Sequence, residues 1–294
     1  MKAVNPRDYY HEQDRKALEA LKAIPGFTQA LKTFMKIFNE KMIHGLDMSN
    51  KIRLGPNQLT ELYELLPPIC GVLGIAEPEF YLEMNPTPNA YTFGDTHVPI
   101  TVTSGLIECM EEEELKAVLA HECGHIACRH CLYHSMASII LNQGAELLDL
   151  GIYAMPLKLA FFHWQRCSEF SCDRAAAIYM QGDDAVVKTM IRLAGGSKEI
   201  TAKINKDLYL QQAKDYEELV ENSAWNKTLQ YLILMNRSHP FTAVRAAEIK
   251  KWCEGDDFHK IMSFLSKEDG NSCTYCGLMF EEGWKFCKKC GNKL

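Results

Sequence analysis

A chain of 294 residues, 47% hydrophobic and 24% charged, has material for at least one sizeable core and a small appendage. A formal net charge of −6, with no lysine- or arginine-rich tail, excludes whole-chain electrostatic attraction to nucleic acid. The opening stretch MKAVNPRDYYHEQDRKALEALKAIPGF is too polar for a secretory signal, so the expected location is cytoplasmic. The 12 cysteines are then expected as thiols or metal thiolates, not disulfides.

From residue 8 to about 70, apolar residues recur at three- and four-residue intervals. The pattern breaks at Pro25-Gly26 and stops near Pro67-Pro68, which predicts a helical N-terminal part over about 1–75. EFYLEM (79–84), AYTFG (90–94) and VPITVTS (98–104) are short, β-branched and aromatic, with turn residues between them, and predict a small sheet of three to four strands. From Ser104 to about 265 the pattern is helical again. EEEELKAVLAHECGHIACRHCL opens with four glutamates, which suit the positive end of a helix dipole. Residues 137–164 form the one membrane candidate, but Glu146, Asp149 and Lys158 interrupt it and Pro156 breaks it. It reads as buried or amphipathic helix, compatible at most with loose contact at a membrane surface and with no transmembrane segment. The polar stretch SKEDGNS (266–272) then precedes a cysteine-rich tail. The predicted class is α+β: a mainly helical domain with a small sheet over 1–265, a linker at 266–272 and a mini-domain at 273–294.

His121 and His125 lie four residues apart on a predicted helix, which puts both imidazoles on one face within reach of one metal. Glu122 projects beside that metal, within reach of a water there. This is the HExxH pattern of zinc peptidases, two nitrogen ligands and a general base. A catalytic zinc also needs a third protein ligand. A third histidine six residues beyond His125, with a glycine three beyond, would mark metzincins; Cys131 and Cys128 occupy those positions and exclude that arrangement. His130 is expected to point away from the His121/His125 face, as a structural or exposed residue. The better source is RCSEFSCDRAAAIYM (166–180), where Glu169 and Asp173 share one helical face. With Glu169 as ligand, Asp173 stands one turn on, where it can accept a hydrogen bond from the free nitrogen of a ligand histidine. The neighbours Phe170, Ala175, Ala176, Ala177 and Ile178 argue for a buried helix, where unpaired carboxylates are expensive. Cys167 and Cys172 are the alternative ligands, although a thiolate would make zinc less electrophilic.

Taken in order over roughly residues 60 to 250, NAYTFGDTHVPITVTSGLIECMEEEELKAVLAHECGHIACRH, SEFSCDRAA and SHPFTAVRAAEI resemble the HtpX-like zinc metallopeptidases. These are gluzincins that also include the CAAX prenyl-protein endopeptidases. The resemblance implies a zincin-like fold and a catalytic zinc on His121, His125 and Glu169, with Glu122 as base. It implies Asp173 behind the ligands, Arg245 as a nearby ion-pair partner, and His239 close to the metal, stabilising an oxyanion or capping the zinc at rest. Asn89 and Ala90 match the strand edge along which a peptide or protein substrate aligns as an added strand. The membrane relatives carry spanning helices that this sequence lacks at the corresponding places. The resemblance therefore carries the hydrolytic chemistry and not their membrane roles.

In the tail, CTYCGLMFEEGWKFCKKCGNKL pairs Cys273 with Cys276 and Cys287 with Cys290, each CxxC followed by glycine. Four thiolates close a tetrahedron, so this is read as a structural zinc in a ribbon whose folding is tied to the metal. Glu281 and Glu282 offset Trp284, Phe286 and the lysines, which favours docking of a protein partner over nucleic acid. The expectation is a zinc-dependent endopeptidase with one catalytic and one structural Zn2+. The rival is a catalytically silent binding or adaptor module, disfavoured because neither base nor ligand is missing. A third reading is a latent enzyme blocked by His239 or the ribbon.

Overall fold

The computed structural model describes residues 2–142, 154–221, 241–266 and, in the C-terminal segment, 273, 275, 276, 278, 280 and 283–294. Four helices open the chain: α1 (Pro6–Tyr9), α2 (Glu12–Ala23), α3 (Phe27–Ile37) and α4 (Glu40–Asn50). The break between α2 and α3 falls where the sequence put it, at Gly26, whose φ of 90° favours glycine. Next come β1 (Ile52–Arg53), α5 (Thr60–Tyr63), α6 (Leu66–Leu73), β2 (Phe80–Glu83), β3 (Ala90–Thr92) and β4 (Ile100–Thr103). Two details of this stretch differ from expectation. β1 lies in a region read as helical, because two residues are too few to display an alternation. Pro67-Pro68 does not stop a helix but sits in the first turn of α6, where the missing N–H groups have no helical partner to lose.

The sheet runs in the order β1-β2-β4-β3. β1 pairs antiparallel with β2, β2 parallel with β4, and β3 antiparallel with β4, so β3 is an edge strand. Helices α7 (Ser104–Cys109), α8 (Glu112–Ala127), α9 (Cys131–Asn142) and α10 (Ala154–Met180) follow. After them come α11 (Asp184–Gly195), α12 (Lys198–Thr201), α13 (Lys206–Glu221), α14 (Thr242–Cys253) and α15 (Asp256–Ser266). Pro156 again falls in a first turn, that of α10, instead of breaking a helix. Among the described residues, no helix is long and apolar enough to cross a membrane. The α+β class with a mainly helical body is as the sequence implied.

α10 is the spine. Its 27 residues run about 40 Å. Its first half packs Leu157, Phe161 and Trp164 against Leu21, Phe27 and Phe34 of α2 and α3. Its second half contributes Ala175, Ala176, Ala177 and Ile178 to the larger core beneath the sheet. Each large side chain buried in these clusters contributes about 1.5–3 kcal/mol. α8 lies along α10, and the contact is close because Gly124 has no side chain. A Cβ there would stand 2.9 Å from Ala175 Cβ and 3.0 Å from Cys172 Cα. The glycine of HECGH therefore sets how near the two histidines come to Glu169. Overpacking of this kind costs about 1–3 kcal/mol. Gly124→Ala should lower the melting temperature by several degrees in calorimetry, and an unchanged value would mean that the helices separate without penalty.

Candidate active site

His121 and His125 project from the last turns of α8 with ring centroids 5.0 Å apart. Glu169 rises from α10 between them: its Oε2 is 3.5 Å from His121 Nε2 and its Oε1 3.4 Å from His125 Nε2. Metal bonds of 2.0–2.1 Å at tetrahedral angles separate neighbouring donor atoms by about 3.3 Å. Each histidine thus stands from one of the two Glu169 oxygens at about the separation of neighbouring donors around zinc.

The rings are turned by what lies behind them. Asp173 Oδ1 is 3.0 Å from His121 Nδ1, so a protonated Nδ1 leaves Nε2 with its lone pair toward Glu169. His125 Nδ1 is 3.2 Å from His130 Nδ1, and His130 Nε2 is 3.0 Å from Asp14 Oδ2. With Asp14 accepting from His130 Nε2–H, His130 Nδ1 becomes the acceptor for His125 Nδ1–H. That chain leaves His125 Nε2 bare as well. Asp14, fully buried on α2, is anchored by Trp164 Nε1–H at 3.0 Å and Ser171 Oγ–H at 2.6 Å.

His130 is structural, one of the two roles expected of it, but it does not point away from the His121/His125 face. It is fully buried and folds back onto His125. α8 ends at Ala127, Arg129 takes a left-handed φ of 58°, and the His130 N–H donates to the His125 carbonyl at 2.9 Å. A spacing rule for continuous helix no longer applies across such a turn. Asp14 was also missed. Its signal is its position in the stripe of Asp14, Ala17, Leu18 and Leu21, a carboxylate on the apolar face of a helix.

Arg245 of α14 clamps the acidic side of the site. Its Nε and Nη2 bond Asp173 at 2.9 and 2.6 Å, and its Nη1 stands 3.0 Å from Glu169 Oε2. Burial alone would lower the Arg245 pKa, but the charges of Asp173 and Glu169 outweigh it and hold the guanidinium firmly charged. Burial would likewise depress His121, yet hydrogen bonds to Asp173 and Glu169 push it up to about 10. For His125 burial prevails over Glu169 and lowers it to about 4. Burial would raise Asp173, and Arg245 and His121 instead hold it below the usual carboxylate range. A proton and a metal would compete for His121 Nε2.

Glu122, buried to 7% exposure, lines a cavity of about 270 Å³ together with His121, Glu169, Asp173 and Arg245. Leu106, Val118, Val186, Met190 and Leu193 supply an apolar wall. Asn89 and Ala90 also border it, at the open edge of β3. Asn89 spends its N–H on Thr103 Oγ1 and its carbonyl on the Thr103 N–H. Antiparallel alternation then turns the N–H and carbonyl of Ala90 away from β4. Of the two expected edge residues, Ala90 is the one whose main chain faces outward. His239 lies outside the described residues. Of the alternative ligands, Cys172 sits near both histidines, but its sulfur is 3.5 Å from His130 Nδ1, behind the rings. Cys167 contacts His163 at 3.8 Å instead.

At the C-terminus, Cys273, Cys276, Cys287 and Cys290 converge, with sulfurs 3.6 Å apart for Cys273–Cys290 and 3.3 Å for Cys276–Cys287. None of the four is in a disulfide. Gly291, directly after Cys290, takes a φ of 73°, the turn that the knuckle requires. The cluster fits a zinc ribbon.

The family model described as "Peptidase family M48" matches residues 61–253. The chain is 30% identical over 278 residues to "Plastoglobule-localized metallopeptidase 48, chloroplastic" of Arabidopsis thaliana, covering 91% of this chain and 78% of that one. It is 30% identical over 251 residues to "Protease HtpX homolog" of Campylobacter concisus (strain 13826), covering 75% of this chain and 83% of the relative. A protein of the same name from Sulfurihydrogenibium sp. (strain YO3AOP1) is 34% identical over 94 residues, 31% of this chain and 32% of its own. No solved structure matches. The geometry makes a discriminating prediction: Glu169→Ala should remove one equivalent of bound metal per chain in elemental analysis, while Cys172→Ala leaves the count unchanged. The reverse pattern would reassign the third ligand.

Proposed function

This chain belongs to peptidase family M48, and on that premise we propose that it is a zinc-dependent endopeptidase acting on peptide or protein substrates. The observation that carries this reading is the pair of Nε2 atoms facing Glu169 at 3.4 and 3.5 Å, with Glu122 beside them in an apolar-walled cleft. His121, His125 and Glu169 would hold the ion. A zinc ion there supplies Lewis-acid polarisation of the scissile carbonyl and a water acidic enough to attack near neutral pH.

The chain's own residues do the rest. Glu122 takes the proton of the attacking water and returns it to the leaving amide nitrogen. Asp173 and Arg245 keep His121 in its ligand tautomer; the Asp14–His130 pair does the same for His125. The outward main chain of Ala90, with Asn89 beside it, receives the substrate as an added strand, and the wall of Val186, Met190 and Leu193 accepts an apolar side chain. His239, three residues before the cavity-lining Thr242, is assigned to the developing oxyanion.

We take residues 1–265 as the peptidase domain and 273–294 as a zinc ribbon that docks a protein partner or regulates access. For location we infer a reducing compartment, consistent with twelve unpaired cysteines. The cytoplasm is the first reading; the name of the Arabidopsis relative puts that protein in plastoglobules, which makes an organelle the second. The test is Glu122→Gln. It should keep its zinc while cleavage of casein falls about 100- to 10,000-fold. Undiminished, chelator-sensitive cleavage would remove Glu122 from the role, and a wild type with bound zinc but no turnover of any peptide library would favour the adaptor reading.

A further inference from the structure

At the end of the sheet away from the cleft, three side chains from three elements converge. His44 stands on α4, Glu79 immediately precedes β2, and His97 lies in the connection between β3 and β4. His44 Nδ1 is 3.3 Å and His97 Nε2 3.2 Å from the same atom, Glu79 Oε2, and the two rings meet edge to face with centroids 4.4 Å apart. Both nitrogens are shielded from solvent, yet neither has a hydrogen bond among the described residues.

Hydrogen bonding cannot satisfy this arrangement. Glu79 Oε2 already accepts the Tyr81 hydroxyl at 2.8 Å, and Oε1 faces Arg53 Nη2 at 2.8 Å. A carboxylate oxygen has about two lone pairs, so Oε2 has room for one further partner and not for two imidazoles. Neutral rings with their lone pairs turned inward would point them at an anion. A single cation between the three atoms answers all of these demands together. We propose that His44, Glu79 and His97 form a third metal site, which takes a divalent transition-metal ion of the zinc class through two imidazole nitrogens and one carboxylate oxygen.

The spacing fits, since 3.2 and 3.3 Å match the separation of about 3.3 Å between neighbouring donors around tetrahedral zinc. The donors are also held in advance. Glu40 Oε1 accepts the backbone N–H groups of Thr96 at 2.9 Å and His97 at 3.4 Å, which fixes the loop carrying His97. Tyr81 and Arg53 orient the Glu79 carboxylate from behind, the supporting shell that metal ligands require. The side chains of His44 and His97 are 29% and 40% exposed, so the site lies near the surface although its two nitrogens are shielded.

The site also answers a structural need. Among its described residues α4 buries only Asp47, so almost no apolar burial holds that helix to the sheet. An ion shared by His44, Glu79 and His97 clips α4 to β2 and to the β3–β4 connection.

The test uses the full chain, dialysed against micromolar free zinc and then analysed for bound metal. His44→Gln and His97→Gln should each lower the zinc content by one equivalent per chain. In hydrogen–deuterium exchange, added zinc should increase protection of residues 40–50 in wild type and not in His97→Gln. An unchanged zinc content in both variants would overturn the site. So would wild-type protection over 40–50 that ignores zinc, a readout that stands even if a variant folds poorly.

Discussion

The candidate active site depends on how two imidazole rings are gripped from behind. Asp173 accepts a hydrogen bond from the Nδ1–H of His121, and Asp14, acting through His130, sets the proton on Nδ1 of His125. Each grip leaves Nε2 unprotonated on the side of Glu169, where a metal can use it. Without them a neutral histidine could place its proton on either nitrogen, and half of those choices would close the site. The rest of the fold can be read as what brings two carboxylates, one from each side, to the backs of two rings on a single helix.

α10 does most of this. It carries Glu169 on the front of the rings and Asp173 behind one of them, and it packs Trp164 and Ser171 against Asp14. Gly124 lets α8 come close enough for these contacts to be made at hydrogen-bond distance. α2 supplies Asp14 from outside the segment that the family model matches, so the N-terminal helices are joined to the site by chemistry as well as by packing. The sheet adds the other wall. Its edge strand β3 turns the main chain of Ala90 outward beside the cleft, and the opposite end of the same sheet gathers His44, Glu79 and His97.

Much of this was legible because it is local. The spacings of His121, Glu122 and His125, of Glu169 and Asp173, and of the paired ribbon cysteines each lie within one or two turns of chain, where helix or knuckle geometry converts spacing into direction. The short β-branched and aromatic runs of β2 and β4, bounded by turn residues, were likewise sufficient. What escaped depends on chain reversal or distant pairing. His130 returns to His125 only because Arg129 adopts a left-handed conformation. Asp14 finds His130 across more than a hundred residues of sequence, and His44 finds Glu79 and His97 only once α4 is laid against the sheet. Pro67, Pro68 and Pro156 were read as stops because a proline looks the same in sequence whether it ends a helix or begins one. Two residues of β1 are too short to show any period.

The most direct measurement is an anomalous difference map from crystals of the full chain, recorded at the zinc edge. The account requires a peak about 2.0–2.2 Å from His121 Nε2, His125 Nε2 and a Glu169 oxygen. A peak bonded to the Cys172 sulfur, or none within bonding reach of Glu169, would contradict it.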